Sequence, residues 1–284
     1  MVPVTLRAPT SYAIALVASL IFGGALAAFQ LPWREYPALE HNSFPVPKDY
    51  DQKTDFVFAR LMFPATPYAR FDRAGSRWAQ GNSTWTQDYP AADRHFMLAL
   101  NRLTLVNGRS VEQAVNLDEG DDVYNYPFLY AVRPGEWQLT DSQAAKMRDF
   151  IDRGGFFLCD DFWGTSEWDV FMESMRRVFP EAEVVDIPDE DQFFHSVFDL
   201  TERYQIPGAW GVYGRGYQND GSTPYWRAIY QPVQDGQRRI VAIMIPNSDL
   251  GDSWEYADQP SYPEKYSRLG LRLGINAVVY AMTH

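Results

Sequence analysis

The sequence predicts an α/β protein whose sheet is open, mostly parallel and doubly wound, with an antiparallel hairpin at one edge and a C-terminal helix. Apolar runs of strand length alternate with segments of helical period along most of the chain, which is typical of parallel βαβ units covered on both faces. Two apolar runs near the carboxyl end are joined only by residues 234–237, and this spacing predicts the hairpin. The chain has 284 residues, 46% of them hydrophobic, which is enough for one large core.

The first elements of the predicted domain are two strands with a helix between them. The apolar run 56–63 predicts a buried strand that Pro64 ends, and residues 110–117 predict a second strand. Residues 91–104 predict a helix with one apolar face. The residues of that face are Phe96, Met97, Leu100 and Leu103.

Strands and helices continue to alternate along the rest of the chain. Further strands are predicted over 126–132, 156–161 and 181–187, and further helices over 141–152 and 166–179. Thr140 is placed to cap the first of these helices. The hairpin strands cover 227–233 and 238–245. The last segment, 266–284, predicts a helix with Leu269, Leu273, Ala277 and Tyr280 on one stripe.

The amino terminus predicts a segment that directs the chain out of the cytoplasm. Residues 12–29 contain no charge and are long enough for a membrane anchor, while Ala25-Leu26-Ala27 is typical of a signal-peptide cleavage site. Residues 1–30 are therefore either a cleaved signal peptide or an N-terminal membrane anchor. Both alternatives place the domain in the periplasm or on the extracytoplasmic face of the inner membrane. Prolines in 31–53 predict an extended linker, which leaves 54–284 as a single domain.

The composition excludes several classes of function. The net charge of -12 argues against nucleic-acid binding, which needs a clustered basic surface. A single cysteine excludes an intrachain disulfide, and the four histidines lack the spacing of a zinc motif. Aromatic residues make up 15% of the chain, and this abundance points to contacts with a ligand or a partner.

The segment GGFFLCDDFWG, residues 154–164, is the strongest candidate for a functional region. Alternation along the strand places Asp160 and Asp161 on opposite faces at its carboxyl end, where open α/β sheets bind ligands. Cys159 would point into a helix-covered layer, and the two acids next to it would raise the pKa of its thiol. A buried, inert cysteine is therefore favoured over a nucleophile.

Three interpretations of Asp160 and Asp161 remain open from the sequence. Their carboxylates can cap the helix that follows, which is the structural alternative. They can bind a divalent cation through hard oxygen ligands, with Asp249 as the third ligand. They can also act as a general acid and base with separated pKa values.

Other candidates are aromatic or acidic residues expected at the same edge of the sheet. Trp85, Asp88 and Tyr89 follow the first strand and can hold a sugar, although Trp85 can equally fill the end of the sheet. Trp163 and Trp254 are further candidates for ligand binding. His195 is a candidate base, with a structural role as the alternative.

A glycine-rich loop, residues 208–222, is a candidate lid over this site. Its glycines do not have the spacing of a phosphate-binding motif.

Six ordered segments between residues 54 and 284 resemble the bacterial domain of unknown function 4159 (DUF4159) family. These segments are 85–90, 126–130, 154–161, 195–200, 245–256 and 272–284. The resemblance implies a flavodoxin-like or class I glutamine-amidotransferase-like α/β fold. The nucleophile turn of amidotransferases corresponds here to Asp160 and Asp161, and no His-x-Glu pair follows, so the Cys-His-Glu set is not matched. Some members of the family that the chain resembles are fused to, or lie beside, envelope proteins with von Willebrand-type domains and their MoxR-type ATPases. The resemblance therefore implies a binding part of such an assembly.

The function expected from the sequence is a non-catalytic binding or assembly domain of the cell envelope. Its expected partners are envelope or membrane proteins, with no nucleic acid, and residues 12–29 attach it to the membrane if they are not cleaved. The alternative is a carboxylate- or metal-dependent hydrolase that acts on envelope carbohydrate or an ester-like substrate. The sequence leaves the cofactor open: a divalent cation if the hydrolase is metal-dependent, and otherwise none.

Overall fold

The computed structural model describes residues 31–40, 44–70, 77–233 and 236–284, and Trp33–His284 form one compact unit. The predicted signal peptide or anchor, residues 1–30, lies outside the described residues. No helix within the described part of the chain is both long and apolar enough to cross a membrane.

One seven-stranded sheet forms the centre of the unit, with its strands in the order β2-β1-β3-β4-β7-β6-β5. Strands β1 to β4 pair in parallel with one another, and β7 pairs in parallel with β4, whereas β6 is antiparallel to both β7 and β5. The bounds are β1 Ala59–Met62, β2 Gln113–Asn116, β3 Phe128–Val132, β4 Phe156–Asp160, β5 Val184–Asp186, β6 Arg227–Pro232 and β7 Arg238–Ile245.

The strand order confirms the predicted open, mostly parallel, doubly wound sheet. The five parallel strands, taken in chain order, follow the flavodoxin-like pattern in which the order reverses between β1 and β3. The hairpin strands β6 and β7 are also confirmed, and β5 extends the antiparallel edge beyond β6. The crevice at the carboxyl ends of the parallel strands is where such sheets bind ligands.

Helices cover both faces of the sheet, as predicted. Their bounds are α1 Ala91–Leu103, α2 Asp141–Asp152, α3 Gly164–Val178, α4 Leu250–Glu255 and α5 Glu264–Thr283. Helices α2 and α3 pack on one face, and α1, α4 and α5 pack on the other. One apolar position was predicted wrongly: the side chain of Leu103 is 55% exposed, because it lies in the last turn of α1 beyond the edge of the core.

Strand β4 alternates between the two apolar layers. Phe157 and Cys159 belong to the layer under α2 and α3, while Phe156 and Leu158 belong to the opposite layer. The prediction that Cys159 is buried is confirmed. Burial and the neighbouring Asp160 raise the pKa of its thiol well above the ordinary value, so the residue is a poor nucleophile.

The segment predicted as a linker packs against the domain. Residues 31–40 and 44–53 form no helix or strand, which agrees with their prolines. The Glu35 carboxylate nevertheless forms an ion pair with Arg94 at 2.5 Å, and the backbone N–H of Tyr36 donates to the Tyr89 hydroxyl at 3.1 Å. A free extended linker is therefore the wrong description from Trp33 onward, because these polar contacts hold the segment on α1 and the loop before it.

Candidate functional site

A cleft with a volume of about 420 Å³ opens at the carboxyl ends of the parallel strands. One wall is the glycine-rich loop that the sequence indicated as a lid. It contributes Gly208, Trp210, Gly211, Gly216, Tyr217 and Gln218. The other wall comes from loops that follow β1, β3, β4 and β7, so the cleft lies where the doubly wound topology predicts a ligand site.

Asp161 lies on this wall and is held by two donors. Its carboxylate accepts from the Trp163 indole N–H at 2.6 Å and from the Arg133 guanidinium at 3.2 Å. Arg133 also forms an ion pair with Glu136 at 2.9 Å. Burial raises the pKa of Asp161, and Arg133 opposes that shift. Asp161, Trp163 and Arg133 therefore form one rigid polar corner of the cleft.

Asp160 lies beneath the cleft and makes three hydrogen bonds. It accepts from the Tyr130 hydroxyl at 2.7 Å, from the N–H of Gly251 at 3.1 Å and from the N–H of Leu250. The last two amides open α4, so Asp160 caps that helix and not α3, which directly follows it in the chain. Burial raises the pKa of Asp160 to about 7, against the effect of its donors.

A second acidic group lies on the same side of the sheet. One carboxylate oxygen from each of Asp88, Asp249 and Asp252 lies within 4.8 Å of the others, and all three side chains are buried. Asp88 follows β1 with φ of 59°, and Asp249 precedes α4, where its carboxylate accepts from the N–H of Asp252 at 2.8 Å. We call these three residues the aspartate triad. Asp88 also belongs to a second group with Glu40 and Glu255.

The electrostatics of the triad are unusual for buried side chains. Burial raises the pKa of Asp88, Asp249 and Asp252 well above the ordinary carboxyl value, and the neighbouring carboxylates raise it further. No lysine, arginine or histidine of the described segments forms an ion pair with any of the three. The triad therefore concentrates acidic oxygens in a place where water cannot fully solvate them.

The metal site expected from the sequence has different members in the structure. Asp160, Asp161 and Asp249 do not form a common ligand group within the described part of the chain, whereas Asp249 groups with Asp88 and Asp252. The reason is that β4 directs Asp160 beneath α4 and that Asp161 turns toward Arg133. Of the three predicted ligands, only Asp249 joins a group that can hold a metal ion.

Three of the predicted ligand-binding aromatics are core residues. Trp85 is fully buried and its indole N–H donates to the carbonyl of Trp78 at 2.7 Å, so it fills the end of the sheet. Tyr89 is fully buried as well. Trp254 packs against Phe96 with ring centroids 4.6 Å apart. Trp163 and Asp88 remain at the site, the first on the cleft wall and the second in the triad.

His195 lies away from the cleft. Its Nδ1 bonds to the Asp199 carboxylate at 2.8 Å, and its Nε2 bonds to the carbonyl of Asp189 at 3.1 Å. The Asp199 hydrogen bond raises its pKa. The structure therefore does not bring His195 to this site, because the histidine is not among the residues that line the cleft.

Sequence reasoning missed several residues of the site. Among them are Glu40, Arg133 and Asp252, and Trp210 was predicted only as part of the lid loop. Asp252 had a detectable signal, because the spacing of Asp249 and Asp252 places one acid at the N-cap and the other in the first turn of a helix. Glu40 had no such signal, since its segment reaches the cleft only through tertiary packing.

The arrangement offers two kinds of chemistry. Carboxylate oxygens that lack donors can bind a hard cation or accept hydrogen bonds from hydroxyl groups. Trp210 is 96% exposed, and the ring can stack on an apolar face of a ligand that enters the cleft. Thiol chemistry is not supported, since Cys159 is buried in the layer under α2 and α3.

Comparison with known proteins found a family model that matches most of the chain. The family model described as Domain of unknown function (DUF4159) matches residues 76–282. The match covers β2 to β7 and nearly all of α5. No curated protein matches the chain.

Proposed function

The chain belongs to the DUF4159 family, and from this starting point we propose that it is a non-catalytic binding domain of the bacterial cell envelope that holds a glycan in its acidic cleft. The observation that carries the proposal is the exposure of Trp210, which is 96% accessible at the mouth of a cleft lined by buried carboxylates. An exposed indole next to fixed polar groups is typical of a recognition surface.

A glycan fits both kinds of group that line the cleft. Sugars present hydroxyl groups, which donate to carboxylates such as Asp161 and Asp249 and accept from guanidinium groups such as Arg133. They also present apolar ring faces, which stack on indole and phenol rings such as Trp210 and Tyr217. A volume of about 420 Å³ accommodates one or two sugar rings.

A binding role is favoured over cysteine catalysis for a geometric reason. A catalytic thiolate must be accessible and close to a base. Cys159 is fully buried, the pKa of its thiol is raised, and His195 is hydrogen-bonded to Asp199. These observations support the view that the family member described here does not perform amidotransferase chemistry.

The test is a binding measurement by calorimetry with soluble peptidoglycan fragments and other envelope oligosaccharides. We expect one fragment per chain, and we expect Trp210→Ala to weaken binding by at least about tenfold, because an anchoring aromatic ring is lost. Leu105→Ala is the control, since Leu105 is fully exposed and is not among the cleft residues. Equal affinity of wild type and Trp210→Ala, or no binding across the panel, would contradict the proposal.

The envelope location is part of the proposal and rests on the sequence of 12–29, which lies outside the described residues. We expect the full chain to fractionate with the inner membrane or the periplasm, and a carboxyl-terminal alkaline phosphatase fusion to be active. Its expected partners are envelope or membrane proteins. A pull-down from detergent-solubilised membranes that recovers the chain alone would contradict the assembly role.

The second candidate is a hydrolase that acts on envelope carbohydrate or an ester-like substrate. It is favoured by one observation, namely that the cleft contains carboxyl groups with raised pKa beside one held by Arg133. Release of reducing sugar or ester hydrolysis that is lost in Asp249→Asn and kept in Asp169→Asn would support it. Asp169 is exposed and lies outside the cleft, so it serves as the matched control.

A further inference from the structure

We propose that the aspartate triad, Asp88, Asp249 and Asp252, is a binding site for one divalent cation of the oxygen-preferring class, calcium or magnesium. The proposal does not depend on glycan binding, because it concerns the floor of the cleft and the ion alone. The sequence interpretation had placed a metal on a different set of carboxylates.

The spacing of the triad matches the size of such an ion. One oxygen from each residue lies within 4.8 Å of the others. A calcium ion binds oxygens at about 2.3–2.6 Å, so two ligands on opposite sides of it are separated by up to about 5 Å. A single ion can therefore contact all three carboxylates without a large rearrangement.

Asp88 provides an independent indication of a ligand. Its side chain is 1% exposed, and its Oδ2 atom is buried without a hydrogen-bond partner in the described structure. This atom is directed at the first turn of α4, since it would lie 2.0 Å from a Cβ atom added at Gly251. A buried acceptor without a donor is costly, and a cation at this point satisfies it.

The other two residues also keep one oxygen available. In Asp249, Oδ1 accepts from the N–H of Asp252, and in Asp252, Oδ2 accepts from the N–H of Ala209 at 2.5 Å. Within the described residues no hydrogen bond reaches Asp249 Oδ2 or Asp252 Oδ1. Backbone amides thus orient both carboxylates while one oxygen of each remains for an ion, an arrangement typical of supported metal ligands.

The charge balance also favours a cation. Two guanidinium groups at this edge of the sheet form their ion pairs with other carboxylates, Arg133 with Asp161 and Glu136, and Arg60 with Asp93. Three buried carboxylates at this spacing repel one another unless they are protonated or share a cation. The triad contains no thiol or imidazole, so its chemistry fits calcium or magnesium better than zinc. Asp249 and Asp252 line the cleft, which supplies the entry path.

The experiment uses the full chain, freed of metal with EDTA and then titrated with calcium or magnesium by calorimetry, with melting curves in parallel. We expect one ion per chain and a rise of several degrees in Tm. Asp88→Asn should weaken binding by at least about tenfold. The same variant should melt at a higher temperature than wild type in EDTA, because it removes an uncompensated buried charge. If Asp88 had a purely structural role, Asp88→Asn would not combine weaker metal binding with a higher melting temperature in EDTA.

The variants were chosen so that the backbone at each position tolerates the new residue. Asparagine tolerates the positive φ of position 88, so Asp88→Asn is compatible with the backbone. If that variant fails to fold, Asp252→Asn replaces it, since the amide oxygen can still accept from Ala209. Asp169→Asn should bind like wild type. The proposal is overturned if neither ion binds at concentrations up to about 10 mM, or if Asp88→Asn and Asp252→Asn bind as tightly as wild type.

Discussion

Asp160 illustrates how one charged residue is retained in the core of this protein. Its carboxylate joins three elements, because it accepts from Tyr130 in β3 and from the amides of Leu250 and Gly251 at the start of α4. Each donor favours the ionised form, whereas complete burial favours the protonated form. Burial prevails, and the pKa rises from 3.8 to about 7.

The raised pKa of Asp160 predicts a specific pH dependence. The folded state binds this proton more tightly than the unfolded chain, so the contribution of Asp160 to stability is largest in acid and is lost as the pH rises toward 7. Asp160→Asn carries no such proton. We therefore expect the difference in free energy of unfolding between wild type and Asp160→Asn to shrink between about pH 4 and pH 7. Urea unfolding across that range measures it. A difference that grows with pH would mean that the donors keep Asp160 ionised.

Arg60 forms a buried hydrogen-bond network with the loop that leads to the triad. Its guanidinium contacts both carboxylate oxygens of Asp93, at 2.7 and 2.5 Å, and the carbonyls of Trp85 and Gln87, each at 3.1 Å. Both partners of the ion pair are fully buried. Because Gln87 precedes Asp88 in the chain, this network holds the loop that delivers Asp88 to the triad.

Substitution of Arg60 should strongly lower the stability of the fold. We expect Arg60→Met to lower the free energy of unfolding by about 3–5 kcal/mol, because the Asp93 carboxylate would stay buried without its counter-charge. Chemical denaturation measures the change. The double variant Arg60→Met with Asp93→Leu should recover much of the loss, since it buries no charge at this position. Equal destabilisation in the single and double variants would show that the loss of stability comes from altered packing and not from the unpaired charge of Asp93.

Helix α5 is positioned by a close approach to its neighbours. A Cβ atom at Gly274 would lie 2.5 Å from the Phe96 ring of α1 and 2.9 Å from the Trp254 ring of α4. Both rings are fully buried and packed against each other, so neither can move aside easily. Glycine at this position allows α5 to lie close to the short helix that carries the triad residue Asp252.

Gly274→Ala tests this packing. Alanine gains about 1 kcal/mol of helix propensity over glycine, but overpacking a closed core costs about 1–3 kcal/mol. Since the rings of Phe96 and Trp254 are fixed, we expect net destabilisation, read as a lower denaturant midpoint. Gly214→Ala is the control, because an added Cβ there meets only the Gly211 carbonyl oxygen, at 3.7 Å. A variant more stable than wild type would show that α5 can shift outward at little cost.

In the whole molecule, the compact unit begins before the first strand. Residues 33–40 and 44–53 contact α1 and the loop before β2, through the ion pair of Glu35 with Arg94 and the hydrogen bond of Ser110 to Asp49 at 2.8 Å. Ala38 is 3% exposed. The segment thus covers part of the domain surface and brings Glu40 to the cleft.

Two shortened chains measure this contribution. We expect a chain that begins at residue 54 to melt at a lower temperature than one that begins at residue 33. Removal of the segment before residue 54 takes away Glu35. Arg94, which is 4% exposed, then keeps Glu112 as its remaining ion-pair partner. Thermal unfolding of both chains gives the comparison. Equal melting temperatures would indicate that the segment rests on the domain without stabilising it.

The predicted helices and strands agree well with those of the structure, whereas the predicted site agrees only in part. Thr140 was correctly predicted as a cap, since a hydroxyl three residues before a glutamine is a local signal and forms a capping box with Gln143. The alternation in β4 was correct because its period is a property of the strand. The structure does not bring the three expected metal ligands, Asp160, Asp161 and Asp249, into one group, because alternation gives the face of Asp160 but not the helix that it meets there.

The amino-acid sequence settled those features that arise from local chemistry: the order of strands and helices, the burial of Cys159, the edge of the sheet at which the acids lie, and the family resemblance that the match over 76–282 confirms. Only the tertiary structure decided which acids meet. Asp88 lies in the loop before α1 and Asp252 lies in α4, far away in the chain. They converge because β1 and β7 end at the same edge of the sheet and Gly251 allows their carboxylates to approach. The physical reason is that strand and helix periods act over a few residues, whereas a binding site is made by contacts between loops that the packed sheet brings together.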